Sequence, residues 1–144
     1  MTVSSSLSGP VGPARVLELE GDHASDLLAA VRQGLPFTAL EALASQLDLP
    51  SAAIGVLLGI PQRTFARRRK TLQLSPQESD RLYRLARTFA MAAEVLGTPT
   101  KARQWLLSPN RALAGEVPLQ WLDTDIGARQ VEEVLLRLSY GVFS

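Results

Sequence analysis

The sequence has no cysteine and only one histidine, His23, among its 144 residues. The absence of cysteine excludes disulfides, thiolate zinc sites, iron–sulfur clusters and a cysteine nucleophile. A single histidine leaves no pair for a histidine-based metal site and argues against a Ser-His-Asp triad. Carboxylates do not cluster in a way that would replace these groups, so we expect no enzyme activity, no metal and no cofactor.

Long hydrophobic runs are also missing. No segment approaches the roughly 20 consecutive apolar residues of a membrane span, so we expect no transmembrane helix. The first residues, MTVSSSLSGPVGP, lack the basic start and the apolar core of about 7–15 residues of a secretion signal. We therefore expect a cytoplasmic protein. The hydrophobic fraction of 46% is that of a globular protein, with one domain or two small ones sharing a core.

The charges are unevenly distributed, although the formal net charge is only +1. Residues 49–77 contain no acid. The five basic residues within them are Arg63, Arg67, Arg68, Arg69 and Lys70. Such a cluster can bind phosphates, but taken alone it is more often a solvated helix face. From Glu116 onward the balance reverses, with five acids against two arginines and a net charge of −3.

Apolar residues recur at helical spacing through most of the chain, and no long segment alternates as a strand would. Asp22 can cap a short helix that ends at Gly34. The sequence Ser75-Pro76-Gln77-Glu78 has the form of a capping box and predicts a long helix ending at Gly97. We predict an all-α fold of about eight helices. The predicted ranges are a disordered tail (1–20), an N-terminal domain (21–74) and a C-terminal domain that begins with the long helix (75–144).

Residues 51–70 have the pattern of a helix-turn-helix. Gly55 lies where two closely crossing helices need a small residue, and Gly59 lies where the turn needs a positive φ. The apolar anchors around the turn are Ile54, Leu58, Ile60 and Phe65. A later anchor position, usually aliphatic, is occupied by Arg68. The alternative is an ordinary helical hairpin whose outer helix is charged.

A DNA-binding helix-turn-helix places the N-terminal residues of its second helix against the bases. Gln62 suits adenine and Arg63 suits guanine in the major groove. The residues assigned to phosphates are Thr64, Arg67, Arg68, Arg69 and Lys70. Because one such unit covers only a half-site, we expect a homodimer on a near-palindromic operator DNA.

The chain ends in an apolar, aromatic segment, residues 140–144, where a polar and frayed terminus is usual. Thr124 can cap the last helix that leads to this segment, and Gly141 can end that helix. We expect this segment to dock, either in the core of its own chain or in a partner. Trp105 and Trp121 both lie among apolar helix turns, and we expect them in the core.

Several motifs in this C-terminal part resemble the toxin-binding domain of Xre/MbcA/ParS-type antitoxins. The resemblance is carried by Trp105-Leu106-Leu107-Ser108-Pro109-Asn110-Arg111-Ala112-Leu113, Gly115, Pro118, Leu122-Asp123-Thr124, Gly127 and Tyr140-Gly141-Val142-Phe143-Ser144. With the long helix and an Xre-like helix-turn-helix before it, the resemblance covers nearly all of residues 35–144. It implies that residues 75–144 form an antitoxin domain for toxin binding and dimerisation.

The resemblance further implies that the partner is a RES-domain toxin that consumes NAD⁺. It implies an operon-encoded pair whose complex represses its own promoter, and an antitoxin dimer within a larger toxin–antitoxin complex. The alternative is a stand-alone helix-turn-helix transcriptional regulator with a C-terminal dimerisation domain and no toxin.

The charge and the chain end fit an inhibitor of a nucleotide-binding enzyme. The acidic segment after Glu116 would complement a cationic cleft, and the terminal carboxylate could occupy a phosphate position. Arg111 is a further candidate contact, whereas the simpler role for Asn110 is to close a turn after Pro109. The candidate toxin-binding residues are Arg111, Tyr140, Gly141, Val142, Phe143 and Ser144.

Overall fold

The computed structural model describes residues 12–21 and 23–141 and places most of them in helices. The α-helices of this part are α1 (Pro13–Val16), α2 (Ala24–Gln33), α3 (Phe37–Leu47), α4 (Ser51–Leu57), α5 (Gln62–Thr71), α6 (Pro76–Leu96), α7 (Pro99–Leu106) and α8 (Asp125–Tyr140). Two 3₁₀ helices, Arg111–Leu113 and Pro118–Asp123, lie between α7 and α8. The predicted all-α fold is confirmed. None of the described helices is both long enough and apolar enough to cross a membrane.

The central helix is α6, and it begins as the sequence predicts. Ser75 Oγ accepts a hydrogen bond from the Glu78 amide at 3.1 Å, and Glu78 Oε1 accepts one from the Ser75 amide at 2.9 Å. Gly97 ends the helix with a φ of 104°. Helices α1, α2, α7 and α8 all pack against α6, so this one helix supports both parts of the chain.

One hydrophobic core extends through both predicted domains. Its largest fully buried side chains include Phe37, Leu40, Leu43, Ile54, Leu82, Phe89 and Leu106, which come from α3, α4, α6 and α7. Val131 and Leu135 extend the same cluster into α8. The predicted N-terminal and C-terminal domains therefore share one core, and α6 forms part of it.

The start of the chain differs from the predicted tail of residues 1–20. Pro13–Val16 form α1, and the side chains of Val16 and Leu17 are each only 1% exposed. These residues are ordered because α1 packs against α3 and α6. Residues 1–11 and Asp22 lie outside the described residues. The helix that Asp22 was predicted to cap begins at Ala24, with His23 in the N-cap position and no side-chain cap.

The connection before α3 is joined to the connection after α5. The Phe37 amide donates to the Leu72 carbonyl at 3.0 Å, and the Leu74 amide donates to the Leu35 carbonyl at 2.9 Å. The buried hydroxyl of Ser79 accepts from the Leu35 amide at 2.7 Å. The first turns of α6 are therefore fixed to the frame that contains α3, α4 and α5.

Candidate interaction surfaces

Helices α4 and α5 and the turn between them form the predicted helix-turn-helix. Gly59 has a φ of 72°, which favours glycine at the turn. A Cβ added at Gly55 would lie 2.6 Å from Cδ1 of Phe65, so the close crossing of the two helices depends on the missing side chain. All four predicted anchors are buried, namely Ile54, Leu58, Ile60 and Phe65.

The cations of α5 are divided between two sides of the helix. Arg63, Arg67 and Lys70 are exposed, and their spacing places them on one face together with Gln62 and Ala66. Among the described residues, Arg63, Arg67 and Lys70 have no ion pair or side-chain hydrogen bond. We call these five residues the outer α5 face. Ala66 also belongs to this face, although the sequence prediction omits it. Because its side chain is small, a binding partner can approach the helix closely there.

Arg68 lies on the other side of α5. Its Nε donates to Glu78 Oε1 at 2.8 Å and its Nη2 donates to Glu78 Oε2 at 3.1 Å. Burial alone would raise the pKa of Glu78, but the hydrogen bonds from Arg68 and the Ser75 amide outweigh it and lower that pKa. The hydrogen bond to Glu78 raises the pKa of Arg68 in turn. The sequence predicts a phosphate contact for Arg68, whereas its guanidinium has a partner within the fold.

Arg69 and Thr64 lie at the margin of the outer α5 face. The Arg69 guanidinium is 5.2 Å from the ring centroid of Phe65 and 5.8 Å from that of Phe37. These two rings pack edge to face, with 5.4 Å between their centroids. Arg69 nevertheless remains exposed, and Thr64 is half-buried. The stacking therefore holds the Arg69 side chain in place without removing its charge from the surface.

The turn around Arg111 is built by its neighbour. Asn110 Oδ1 accepts a hydrogen bond from the Ala112 amide at 2.9 Å and caps the short 3₁₀ helix. The backbone amide of Asn110 also donates to the backbone carbonyl of Glu116 at 3.0 Å, which closes the loop. The simpler role predicted for Asn110 is therefore confirmed. Arg111 itself is exposed at the start of this helix.

Helix α8 carries exposed apolar side chains on the side away from the core. Ile126 is 76% exposed, Leu136 is 44% exposed and Tyr140 is 74% exposed. At 3.6 residues per turn these three positions lie within roughly 80° of one another around the helix. We call them the outer α8 face. Helical spacing could have identified Ile126 and Leu136, because neither belongs to the buried stripe of this helix.

The predicted chain-end contacts are described only in part. Thr124 Oγ1 accepts from the Gly127 amide at 3.0 Å and caps α8, as the sequence predicts, and Gly141 ends the helix with a φ of 70°. Tyr140 is therefore the last helical residue. Residues 142–144, which are Val142, Phe143 and Ser144, lie outside the described residues.

Most carboxylates of the acidic C-terminal segment have a partner within the chain. The pairs are Glu116 with Trp121 Nε1, Asp125 with Arg129, Glu132 with Arg87 and Thr88, and Glu133 with Arg137. The hydrogen bond from Arg129 lowers the pKa of Asp125. Trp121 is half-buried with its indole N–H satisfied at 2.8 Å, and Trp105 is also half-buried. Arg129 and Arg137 are already counted in the net charge of −3, so among these pairs only that of Glu132 with Arg87 reduces the charge available to attract a cationic partner.

Both parts of the chain match known families. Residues 26–87 match the antitoxin Xre-like helix-turn-helix domain. Residues 91–141 match the antitoxin Xre/MbcA/ParS C-terminal toxin-binding domain. The junction between the two matches falls inside α6.

Similar curated proteins carry the name Antitoxin Xre. One from Yersinia enterocolitica is 30% identical over 132 residues, which are 90% of this chain and 89% of the relative. One from Photorhabdus laumondii is 30% identical over 120 residues, or 82% and 81% of the two chains. One from Pseudomonas putida is 45% identical over 83 residues, which are 57% of this chain and only 52% of that relative.

Proposed function

The chain belongs to the Xre antitoxin family, and we propose that it neutralises a RES-domain, NAD-consuming toxin and represses its own operon. Membership of this family makes it a binding and regulatory protein rather than an enzyme. Its N-terminal part is a helix-turn-helix domain and its C-terminal part is a toxin-binding domain. The observation that carries the proposal is the presence of an exposed basic face and a toxin-binding domain on one shared core.

For the operator, we assign base contacts to Gln62 and Arg63 at the N-terminal end of the outer α5 face. Arg67 and Lys70 lie further along the same face and would contact phosphates. Thr64 and Arg69 are assigned to phosphates at its margin. A homodimer would place two such helices in successive turns of the major groove of a near-palindromic site.

For the toxin, we assign the contact to the chain end and to the face that leads to it. Residues 140–144 would cover the active site of the toxin, with their aromatic side chains as anchors and the terminal carboxylate in a phosphate position. The outer α8 face continues from Tyr140 along the helix and would contact the toxin surface around the active-site pocket. Arg111 is assigned as a further contact. Toxin, NAD⁺ and operator all meet in the cytoplasm, where we place the complex.

Two matched variants test both halves in cells that express the product of the adjacent gene. A chain ending at Ser139 should stay folded and bind the operator, but it should fail to protect the cells. A chain with Arg63, Arg67 and Lys70 all replaced by Gln should protect the cells but lose repression. A truncated chain that still protects would contradict inhibition by the chain end. A stand-alone regulator would protect against nothing and would not copurify with that gene product.

A further inference from the structure

We infer that Glu78 and Arg81 of α6 are positioning residues for operator binding. They contact the helix-turn-helix on the side away from the outer α5 face and hold it in one orientation. The inference rests on the proposed operator binding and deepens it. It assigns Arg68 to this support and removes it from the set of phosphate contacts.

Helix α5 needs such support because its apolar anchorage is small. Phe65 is the only buried residue among its ten residues. A helix that is held at one apolar point can tilt or rotate about that point without exposing much hydrophobic surface. Base recognition requires hydrogen bonds of defined length and direction, so a tilting helix would lose affinity for its site.

The second anchor of α5 is Arg68, one turn after Phe65 and on the same side of the helix. Its Nε and Nη2 both donate hydrogen bonds to the Glu78 carboxylate, at 2.8 and 3.1 Å. A bidentate pair of this kind fixes the plane of the guanidinium as well as its distance. The Arg68 side chain is 22% exposed and the Glu78 side chain is 11% exposed, so water competes little for the pair.

The carboxylate of Glu78 is itself held in place. Its Oε1 also accepts the hydrogen bond from the Ser75 amide at 2.9 Å, as part of the capping box at the start of α6. The same group therefore caps α6 and fixes α5. An aliphatic residue at position 68 would make contact with α6 but would not fix the rotation of α5.

Arg81 supplies a third point of attachment between α6 and the helix-turn-helix, at the turn between α4 and α5. Its Nη1 donates to the carbonyl of Leu58 at 3.0 Å, at the C-terminal end of α4. The same nitrogen lies 3.6 Å from where a Cβ of Gly59 would be. Glu78 and Arg81 are one turn apart on α6, so a single helical turn supports both α5 and the turn that precedes it.

The test compares two neighbouring arginines by the same substitution. Binding of the full chain to a labelled duplex of its own promoter is measured at several salt concentrations for wild type, Arg67→Met, Arg68→Met, Glu78→Gln and the double variant R68M/E78Q. Each neutralised phosphate contributes about 0.9 to the slope of log affinity against log salt. Arg67→Met should therefore weaken binding and lower the slope by about 0.9.

Arg68→Met and Glu78→Gln should each weaken binding on the order of tenfold, the effect of one well-formed charged hydrogen bond, with the slope unchanged. Because both remove the same interaction, the double variant should be no weaker than either single variant. Toxin neutralisation should be unchanged in all of them, which separates loss of positioning from loss of the fold. Arg81→Gln should behave as Glu78→Gln does.

Three results would overturn the inference. They are a slope lowered by Arg68→Met as much as by Arg67→Met, a slope raised by Glu78→Gln because the freed Arg68 reaches DNA, and additive losses in the double variant. Wild-type binding without any salt dependence would instead refute the proposed operator contact, and the inference with it.

Discussion

Replacing Gly55 by alanine tests the close crossing of α4 and α5. In an open helix the substitution would stabilise the protein by about 0.5–1 kcal/mol, because glycine is the poorer helix former. Here the new methyl group would lie 2.6 Å from Cδ1 and 2.9 Å from Cε1 of Phe65. The Phe65 ring cannot retreat easily, because it packs against Phe37 on one side and lies under Arg69. Overpacking of this kind costs about 1–3 kcal/mol.

The two effects leave a net loss between about 0 and 2.5 kcal/mol for Gly55→Ala, with a middle value near 1 kcal/mol, or a fall of roughly 3–4 °C in the unfolding midpoint. Thermal unfolding followed by circular dichroism measures it. The control is Ala29→Gly at an exposed position of α2, which should lose only about 0.5–1 kcal/mol. Adding Phe65→Leu to Gly55→Ala should cost less than the sum of the two single changes, since the smaller side chain relieves the clash. A Gly55→Ala variant that is more stable than wild type would refute the described crossing.

Three further changes test the frame around the site. Ser75→Ala removes the cap of α6 and should lower the free energy of unfolding by about 1 kcal/mol in urea titration. Because the folded-state pKa of Glu78 is lowered, the contribution of this carboxylate to stability is complete above its ordinary pKa and is lost as the pH falls through the lowered value. In Glu78→Gln the free energy of unfolding should therefore fall less steeply as the pH is lowered through this range. A pH dependence identical to that of wild type would argue against the ion pair. In Gly127→Ala a Cβ would overlap the backbone carbonyl of Trp121, which cannot rotate away, so a loss of about 3 kcal/mol is expected. Tryptophan fluorescence during urea unfolding measures this loss, and wild-type stability would contradict the contact.

The features that depend on neighbouring residues could be predicted from the sequence. The capping box needs only Ser75 and Glu78, three positions apart, and the crossing needs Gly55, Gly59 and the apolar anchors around them. The same holds for the end of α8 at Gly141, where a glycine follows the last residue of a regular helical pattern. In each case the physical cause lies within one short segment of the chain, either at a single helix end or in the two helices joined by the turn at Gly59.

The features that depend on packing between distant segments could not be predicted in the same way. Arg68 belongs by sequence to a run of cations, and only the placement of α6 shows that Glu78 lies beside it. Val16 and Leu17 follow a polar, glycine- and proline-rich segment, so their burial against α3 and α6 is visible only in the fold.

The most direct test of the account measures NAD⁺ consumption by the purified product of the adjacent gene. The full chain, added in stoichiometric amounts, should suppress NAD⁺ consumption, whereas a chain ending at Ser139 should leave it unchanged at the same concentration. Equal suppression by both chains would contradict the role of residues 140–144. The absence of any NAD⁺ consumption by that protein would contradict the proposed toxin itself.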